Sequence, residues 1–423
     1  MSIHLVSKIT PTNHRLIPLP PSHHSITPST STTPSTSLPP STLRLTPTLL
    51  ALASNNKTYH ALGSLYGWWI TYPVPASLNP SSTSSSLAEK NIIVPAWGFA
   101  TVSASTVPSI PPGAVLFGFW PLSSAPVDLT LVAARDQAKG DASAPGNHFV
   151  EVSEWRTGLM GLYNRYLVVH DSTGSDEVVL SGKQADLRAS VRPVWELGFL
   201  LRYTFPVGGE GAVYPLGMGR EWGREEADLS QAVVVVLGAG SKTGRSVAWE
   251  LTGTGKAIKG LVLGASRVEG LERVYGGKGA EVVRYEDVQA RTVEFVKRMG
   301  AERVVLFDCG SPPVGPGVVE AVKGLVKTTV VFVGSGPALY AGFSEEEVTK
   351  VQFNVSGARD DVMQRIGSGE YFEAAEKAWD DYVADEGKTW EIERRKGMHE
   401  IERTWEQLVN GGLGAGAVVI ELP

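Results

Sequence analysis

The sequence predicts an α/β protein: a doubly wound parallel sheet with helices on both faces, preceded by a smaller β-rich unit. Three observations lead there. Residues 232–244 (AVVVVLGAGSKTG) run consecutive aliphatics straight into Gly238, Gly240 and Gly244. Strand and helix signals then alternate as far as TTVVFVGSG, whereas the first 190 residues hold short apolar runs broken by prolines and Ser-rich stretches. Repeated β-α-β at this spacing argues for a parallel sheet, and dense short runs with turn signals argue for antiparallel strands.

Val233 to Leu237 carry no polar residue, which suits a strand buried on both faces. Gly238 and Gly240 let the chain turn sharply and bring its backbone close to a pyrophosphate. The free N–H groups at the start of the following helix, RSVAWELTG, would then face the negative charge. The spacing is G-x-G-x-x-x-G, not the usual G-x-G-x-x-G, so a plain tight turn without a ligand stands as the alternative. GSKTG shares residues with a phosphate loop, but Lys-Thr follows G-x-G-S directly, and this spacing rules out a Walker A motif.

LVLG, EVVRY, RVVLFD and TTVVFVGSG read as the next four strands, with RVEGLERVYG, DVQARTVEFVKRMG and VGPGVVEAVKGLV as the helices between them. Right-handed crossovers put the carboxyl ends of all these strands on one edge, where ligands bind. Helical patterns return in GEYFEAAEKAWDDYVADEG and MHEIERTWEQLVNGG before a last strand, AVVIEL. PVWELGFLLRYTF reads as a helix leading into this unit, and residues 137–148 as an exposed loop. The expected division is therefore 1–45 as a low-complexity, disordered extension, 46–190 as a β-rich substrate domain completed by about 390–423, and 191–389 as a dinucleotide-binding domain.

Composition narrows the function classes. A net charge of −6 implies no affinity for nucleic acid or for an anionic membrane. No apolar run approaches the roughly 20 residues that span a bilayer. The single cysteine, Cys309, excludes a disulfide framework and a cysteine-built zinc cage, and fits a reducing, cytoplasmic setting. The Ser/Thr/Pro run HHSITPSTSTTPSTSLPPST cannot bury enough apolar surface to offset its ordering entropy. No acid precedes Glu89, as in a transit peptide, so mitochondrial import is the alternative to a cytoplasmic location; yet only Lys8 and Arg15 are basic early on.

The order of units, and several stretches within them, resemble the medium-chain dehydrogenase/reductase superfamily, and in particular its zinc-free quinone-oxidoreductase branch. LGAGSKTG is similar to that branch's glycine-rich turn, with Ser241 where a glycine is usual. GGKGAEVVRY is similar to the segment on the adenine side, KTTVVFVGSG and IERTWEQLVNGGLGAGAVVIEL to the fifth strand and the closing segment. SNNKTYHALGSLY resembles the branch's N-P-x-x-T-Y loop beneath the nicotinamide, one residue shorter and with Asn56 for proline. NNKTYHALG, WWITYPVP, VPAWGFATV, FGFWPL, LYNRY and RPVWELGFLL resemble still more closely an uncharacterised fungal and bacterial family placed beside that superfamily. The resemblance implies a Rossmann-type sheet, a GroES-like substrate domain and NADP(H) as cofactor.

The second strand ends Gly264-Ala265-Ser266-Arg267, with no acid before Glu269 to bond a ribose 2′-hydroxyl. A hydroxyl beside a guanidinium suits a 2′-phosphate, which points to NADPH over NADH; the alternative is that Ser266 caps the next helix and Arg267 is solvated. Lys242 and Thr243 stand where superfamily members have small residues, so Lys242 either adds a charge for a phosphate or, with Thr243, fills the turn. By resemblance, Tyr285 packs near the adenine. No histidine pair in the substrate domain has ligand spacing, so zinc is not expected and no metal ligands are assigned.

A reductase without zinc needs hydrogen-bond donors or a proton donor for the charge that develops on its substrate. By resemblance these are Asn55, which orients the substrate, and Tyr59 or Tyr66, which supplies a proton or holds the carbonyl oxygen. The alternative is that Asn55-Asn56 forms a turn and the tyrosines are core or rim aromatics. Cys309 either abuts the nicotinamide or is a small buried thiol. Trp68, Trp69, Tyr72, Trp97, Phe99, Phe117, Phe119 and Trp120 are enough to line a flat apolar pocket or to fill the core of a small β domain. The expected activity is NADPH-dependent hydride transfer to a conjugated carbonyl or quinone-like small molecule held between the domains, in a protein that the resemblance allows to be a homodimer. The rivals are a catalytically silent dinucleotide-binding or interaction protein and a scaffold that binds no cofactor.

Overall fold

Antiparallel strands build most of the first of two units. The computed structural model describes residues 1–20, 25–26, 37–78, 86–135, 146–170, 180–253, 257–310, 313–334, 348–413 and 416–423. The chain up to Pro193 joins Trp390–Pro423 as one unit, and Val194–Thr389 is the other. At the start, β1 (Ser2–Ser7) and β2 (His14–Pro18) form a hairpin; after β3 (Thr42–Leu52), the short β4 (Asn91–Ile92) pairs with the other edge of β1. Ile3, His4, Leu5 and Val6 are all fully buried. This corrects the expectation of a disordered extension over residues 1–45. The Ser/Thr/Pro composition of the segment hid two short strands, β1 and β2, and β3 also begins inside it. The remainder of the Ser/Thr/Pro run, residues 23–24 and 27–36, lies outside the described residues, as does most of the loop expected over 137–148.

Next come β5 (Pro95–Ser105), β6 (Val115–Pro121), β7 (Val127–Ala133), β8 (His148–Glu151) and β9 (Arg165–His170). They pair in the order β3-β5-β6-β9-β8-β7, and β7 pairs back onto β3 through Thr42↔Thr130 to Leu45↔Val127. Six strands thus close on themselves, which removes their free edges. The ladder between β3 and β5 shifts register at Arg44/Leu45 and at Pro47/Leu49; a proline has no N–H for the ladder, so a bulge is where a strand tolerates one.

The second unit is a six-stranded parallel sheet: β10 (Ala232–Leu237), β11 (Gly260–Ala265), β12 (Ala280–Arg284), β13 (Arg303–Asp308), β14 (Lys327–Val333) and β15 (Thr349–Phe353), in the order β12-β11-β10-β13-β14-β15. Every residue of β10 and β11 is buried, as two-sided coverage by helices requires. The helices Lys242–Gly253, Glu269–Tyr275, Val288–Met299 and Gly315–Val322 make the crossovers. The order reverses between β10 and β13, so their carboxyl ends flank the switch point of a Rossmann-type sheet. The edge strand β15 was not foreseen: TKVQF is half-exposed and mixes polar with apolar residues, which hides it from a search for buried runs.

A buried ion pair fixes the helix that follows the glycine turn. Arg245 reaches Glu386 at 2.7 Å, with the carboxylate fully buried; Tyr275 donates its hydroxyl to the same carboxylate, and Arg245 also contacts Thr389. Burial pushes the Glu386 carboxyl above its ordinary range despite the guanidinium.

The chain then returns to the first unit. β16 (Ile392–Lys396) lies parallel to β17 (Ala417–Glu421), with the helix Met398–Val409 between them, and β17 runs antiparallel to β3. The helix Lys183–Ser190 buries Ala185 and Ala189 against Leu49, Ala51, Phe99, Val115 and Val419. Among the described residues no helix is long and apolar enough to cross a membrane. The buried pair sets a stability expectation. Glu386→Ala leaves Arg245 uncompensated and is expected to lose about 3–5 kcal/mol in urea unfolding. Glu294→Ala, which breaks exposed pairs with Arg291 and Arg298, loses less than about 1 kcal/mol. Equal losses for the two variants would contradict the burial of the pair.

Candidate functional site

At the end of β10 the chain turns through Gly238, whose φ is +74°. The Ala239 N–H donates to the Gly264 carbonyl at 3.1 Å and ties the turn to β11; the Ser241 N–H donates to the Gly238 carbonyl at 2.8 Å. Ser241 then caps the helix, its hydroxyl accepting the Gly244 N–H at 3.0 Å. A Cβ on Gly244 would stand 2.2 Å from the Gly238 carbonyl oxygen, so the third glycine is what lets helix and strand meet. A Cβ on Gly240 would meet only the Ala265 side chain, at 4.0 Å, so the backbone there is open to a close-approaching group. Among the described residues the N–H groups of Gly240 and Thr243 have no hydrogen-bond partner. Unspent donors at a helix N-terminus are what an anion needs.

Lys242 and Thr243 form the first turn of the helix Lys242–Gly253 and do not extend the glycine turn. Lys242 is buried, and desolvation pulls its ammonium down to about 8. At the end of β11, Ser266 and Arg267 are both exposed. The next helix begins at Glu269 with Val268 in the cap position, so Ser266 does not cap it. Arg267 makes no hydrogen bond or ion pair among the described residues. Tyr285, expected beside an adenine, lies against the turn at Gly238, and burial raises its pKa. The cofactor-site expectations therefore gather at one carboxyl edge: Gly238 to Gly244 at the turn with Tyr285 against it, Ser266 and Arg267 on the neighbouring strand. Cys309 follows β13 at the same edge, its thiol pushed up by burial and by Asp308, so it is held as a thiol.

In the first unit, the stretch expected as a loop is helical: Asn55 and Tyr59 lie on the helix Ser54–Ala61, and Tyr66 ends the short helix Gly63–Tyr66. Asn56 explains the difference. Its side chain accepts the Ala53 N–H at 2.8 Å and donates to the Pro95 carbonyl at 3.0 Å, which starts the helix and pins it to β5. Tyr59 is 5% exposed; its hydroxyl receives Asn55 Nδ2 at 3.2 Å and Trp97 Nε1 at 2.9 Å, and burial raises its pKa. Its ring meets Trp68, Phe119 and Tyr163 edge-on, with centroids 4.9–5.9 Å away. Tyr66 sits 5.0 Å from Trp68, half-buried, its hydroxyl without a hydrogen-bond partner among the described residues. Asn55 is also half-buried, and its side-chain oxygen is likewise unengaged there.

Sequence reasoning missed the group that backs this cluster. Arg156 is fully buried, donates to the Tyr166 hydroxyl at 2.8 Å, lies over the rings of Tyr72 and Tyr166, and stands 3.8 Å from the Glu151 carboxylate. Tyr72 and Tyr166 both donate to the Phe119 carbonyl. Nothing local marks EWR as the carrier of a buried guanidinium. The Trp68 indole N–H is buried without a hydrogen-bond acceptor. Among the described residues no group of three or more His, Cys, Asp or Glu side chains is placed to hold a metal ion.

Two comparisons place this chain. Residues 50–414 match the family described as "Protein of unknown function (DUF2855)". The chain belongs to that family. No curated protein sequence matches it. Among solved structures, CurA from Vibrio vulnificus in complex with NADPH is similar over 100% of this chain and 99% of that one, with a TM-score of 0.52 and 12% identity. CurA of the same organism in a second crystal structure is similar over 99% of each chain, at a TM-score of 0.50 and 13% identity. At such identity the likeness shows the fold alone: a Rossmann-type parallel sheet together with a separate β-rich domain. The Tyr59 site gives a further expectation. Tyr59→Phe strands the Asn55 and Trp97 donors and should lower unfolding stability by about 1–3 kcal/mol. Tyr66→Phe removes an uncommitted hydroxyl and should stay within about 0.5 kcal/mol. A neutral Tyr59→Phe would show that the two donors find other partners.

Proposed function

We propose that this protein is an NADPH-dependent, zinc-free reductase that transfers hydride to a conjugated carbonyl or quinone-like small molecule. The observation that carries the reading is the carboxyl edge of β10 and β11. Unspent N–H groups at Gly240 and Thr243 meet an open backbone, and Ser266 and Arg267 stand exposed where a ribose-binding acid would otherwise be. These groups suit a pyrophosphate and a 2′-phosphate respectively. That the similar CurA structure carries NADPH supports the same assignment.

When bound, NADPH supplies the hydride; the rest falls to the chain's own side chains. The Asn55 amide is held by Tyr59 and turns its remaining polar atoms to the substrate. Tyr66, half-buried and uncommitted, is the proton donor of this reading; Tyr59 is buried with its hydroxyl already engaged and acts by holding Asn55. Proton delivery from the Tyr66 hydroxyl neutralises the charge that hydride addition puts on the acceptor's oxygen. The burial of Tyr59 favours a second reading, a dinucleotide-binding protein without turnover, because of the two candidate tyrosines it leaves Tyr66 alone available as a proton donor.

Calorimetric titration separates the readings. NADPH is expected to bind much more tightly than NADH, with Arg267→Ala weakening NADPH about tenfold or more and leaving NADH unchanged. With an enone or quinone acceptor, Tyr66→Phe should lower kcat by about 10²–10⁴ without changing NADPH affinity. Turnover unaffected by the change removes Tyr66 from the role, and binding without any turnover favours the second reading. Lys242 adds a sign. With its pKa near 8 in the free protein, it is mostly neutral above that pH, and a phosphate beside it would draw in a proton. NADPH binding at about half a unit above this value should therefore take up a proton in wild type and none in Lys242→Met, read from titrations in two buffers of different ionisation enthalpy.

A further inference from the structure

The β1–β2 hairpin grips the helix that carries Asn55 and Tyr59. The Ser7 carbonyl lies 2.8 Å from His60 Nε2, which must carry the hydrogen because a carbonyl can only accept. The His60 carbonyl in turn accepts the Trp69 indole N–H at 2.8 Å. Lys8 stands 5.7 Å from the Trp69 ring and donates to the Ala88 carbonyl at 2.8 Å. Two consecutive hairpin residues thus hold the neighbours of Tyr59 and Trp68. From its other side the hairpin is held by the helix Met398–Val409: Trp405 donates to the Pro11 carbonyl at 2.9 Å, and the Leu16 N–H donates to Glu402 at 3.1 Å. The Trp405 ring meets His4 and His60 edge-on, at 5.8 and 6.0 Å. The family match begins at residue 50, so the hairpin precedes it.

We propose that the β1–β2 hairpin is a clamp that positions the Asn55–Tyr59 helix, with His60 as the positioning residue through which it acts. The clamp stands on these contacts alone, and only its effect on turnover rests on the reductase reading. Its seat can be loosened by acid. His4 Nε2 lies 3.1 Å from His14 Nδ1, a contact in which two neutral rings share one hydrogen. Burial holds His4 down to about 3; burial also lowers His14, which faces His4 from β1 and Glu402 and Glu406 from the helix Met398–Val409. A proton on His14 would force the hydrogen of His4 onto Nδ1, which is buried without a partner. Because the folded-state pKa lies below the ordinary histidine value, the seat is fully stable above that value and weakens as pH falls through the folded one.

Hydrogen exchange on the full chain, corrected for intrinsic rates, tests this. His60→Ala is expected to speed exchange of residues 54–62 about tenfold, the effect of one lost buried hydrogen bond, with β6 unchanged; His60→Gln, whose amide can still donate to Ser7, restores protection. Should His60→Ala fail to fold, Lys8→Ala carries the test, with an expected acceleration of about threefold. In wild type, between about pH 7.5 and about pH 5, residues 2–18 and 54–62 should lose protection together, and His14→Gln should keep both. Unchanged protection of 54–62 in His60→Ala (or in Lys8→Ala, where that variant carries the test) overturns the proposal. So does a hairpin that opens in acid while the helix stays protected. NADPH titration of the same samples keeps the two readings apart: coupled exchange without NADPH binding retains the clamp and loses the reductase.

Discussion

The second unit depends on how closely one helix can approach one strand. Gly244 has no side chain, so the helix Lys242–Gly253 can rest directly against the backbone at Gly238 and Ala239. From that approach follow the aim of the N-terminal N–H groups at the sheet's carboxyl edge and the depth at which the next residue, Arg245, meets Glu386. That ion pair is an expensive arrangement in an apolar interior. Tyr275 and Thr389 share in it, so one buried network joins the helix after the glycine turn, the helix after β11 and the end of the helix Ser368–Glu386.

The first unit solves a different problem, that of placing polar side chains amid aromatic ones. Tyr59 is almost enclosed by rings, and its hydroxyl remains satisfied because Asn55 and Trp97 both point donors at it. Linked to Phe119 through Tyr72 and Tyr166, whose hydroxyls donate to its carbonyl, the buried Arg156 is stabilised by Tyr166, by ring faces and by Glu151. Such networks hold their members to one geometry, since any displaced donor is left without a partner.

How much of this could be read from the chain depends on where each signal lives. β10, β11, β13 and β14 were legible because strands covered on both faces show uninterrupted aliphatic runs. β15 and β16 were not, because TKVQF and IERRK lie at sheet edges and keep polar residues there. β1 was hidden by the composition around it. The glycine turn was legible because its requirement is local: backbone conformation and close approach are set by adjacent residues. The helical state of SNNKTYHA was not, since it rests on Asn56 reaching Pro95, 39 positions away. The same holds for Tyr59 with Trp97 and for Arg245 with Glu386, pairings created only when the chain folds.

The closed ring of strands in the first unit has a bearing on how this protein behaves in a crowded solution. Closure spends the hydrogen-bonding edges of β3, β5, β6, β9, β8 and β7 on one another, and β17 and β16 then extend the sheet past β3. Among the described strands of this sheet, the outer side of β16 is the edge left for a foreign strand. Here Ile392 is followed by Glu393, Arg394, Arg395 and Lys396, which are engaged with one another, with Asp186 and with Glu421. A docking strand would have to strip water from these charges and break their pairs. The charged edge acts as a guard against sheet-to-sheet aggregation, at a position where a more apolar strand would invite it.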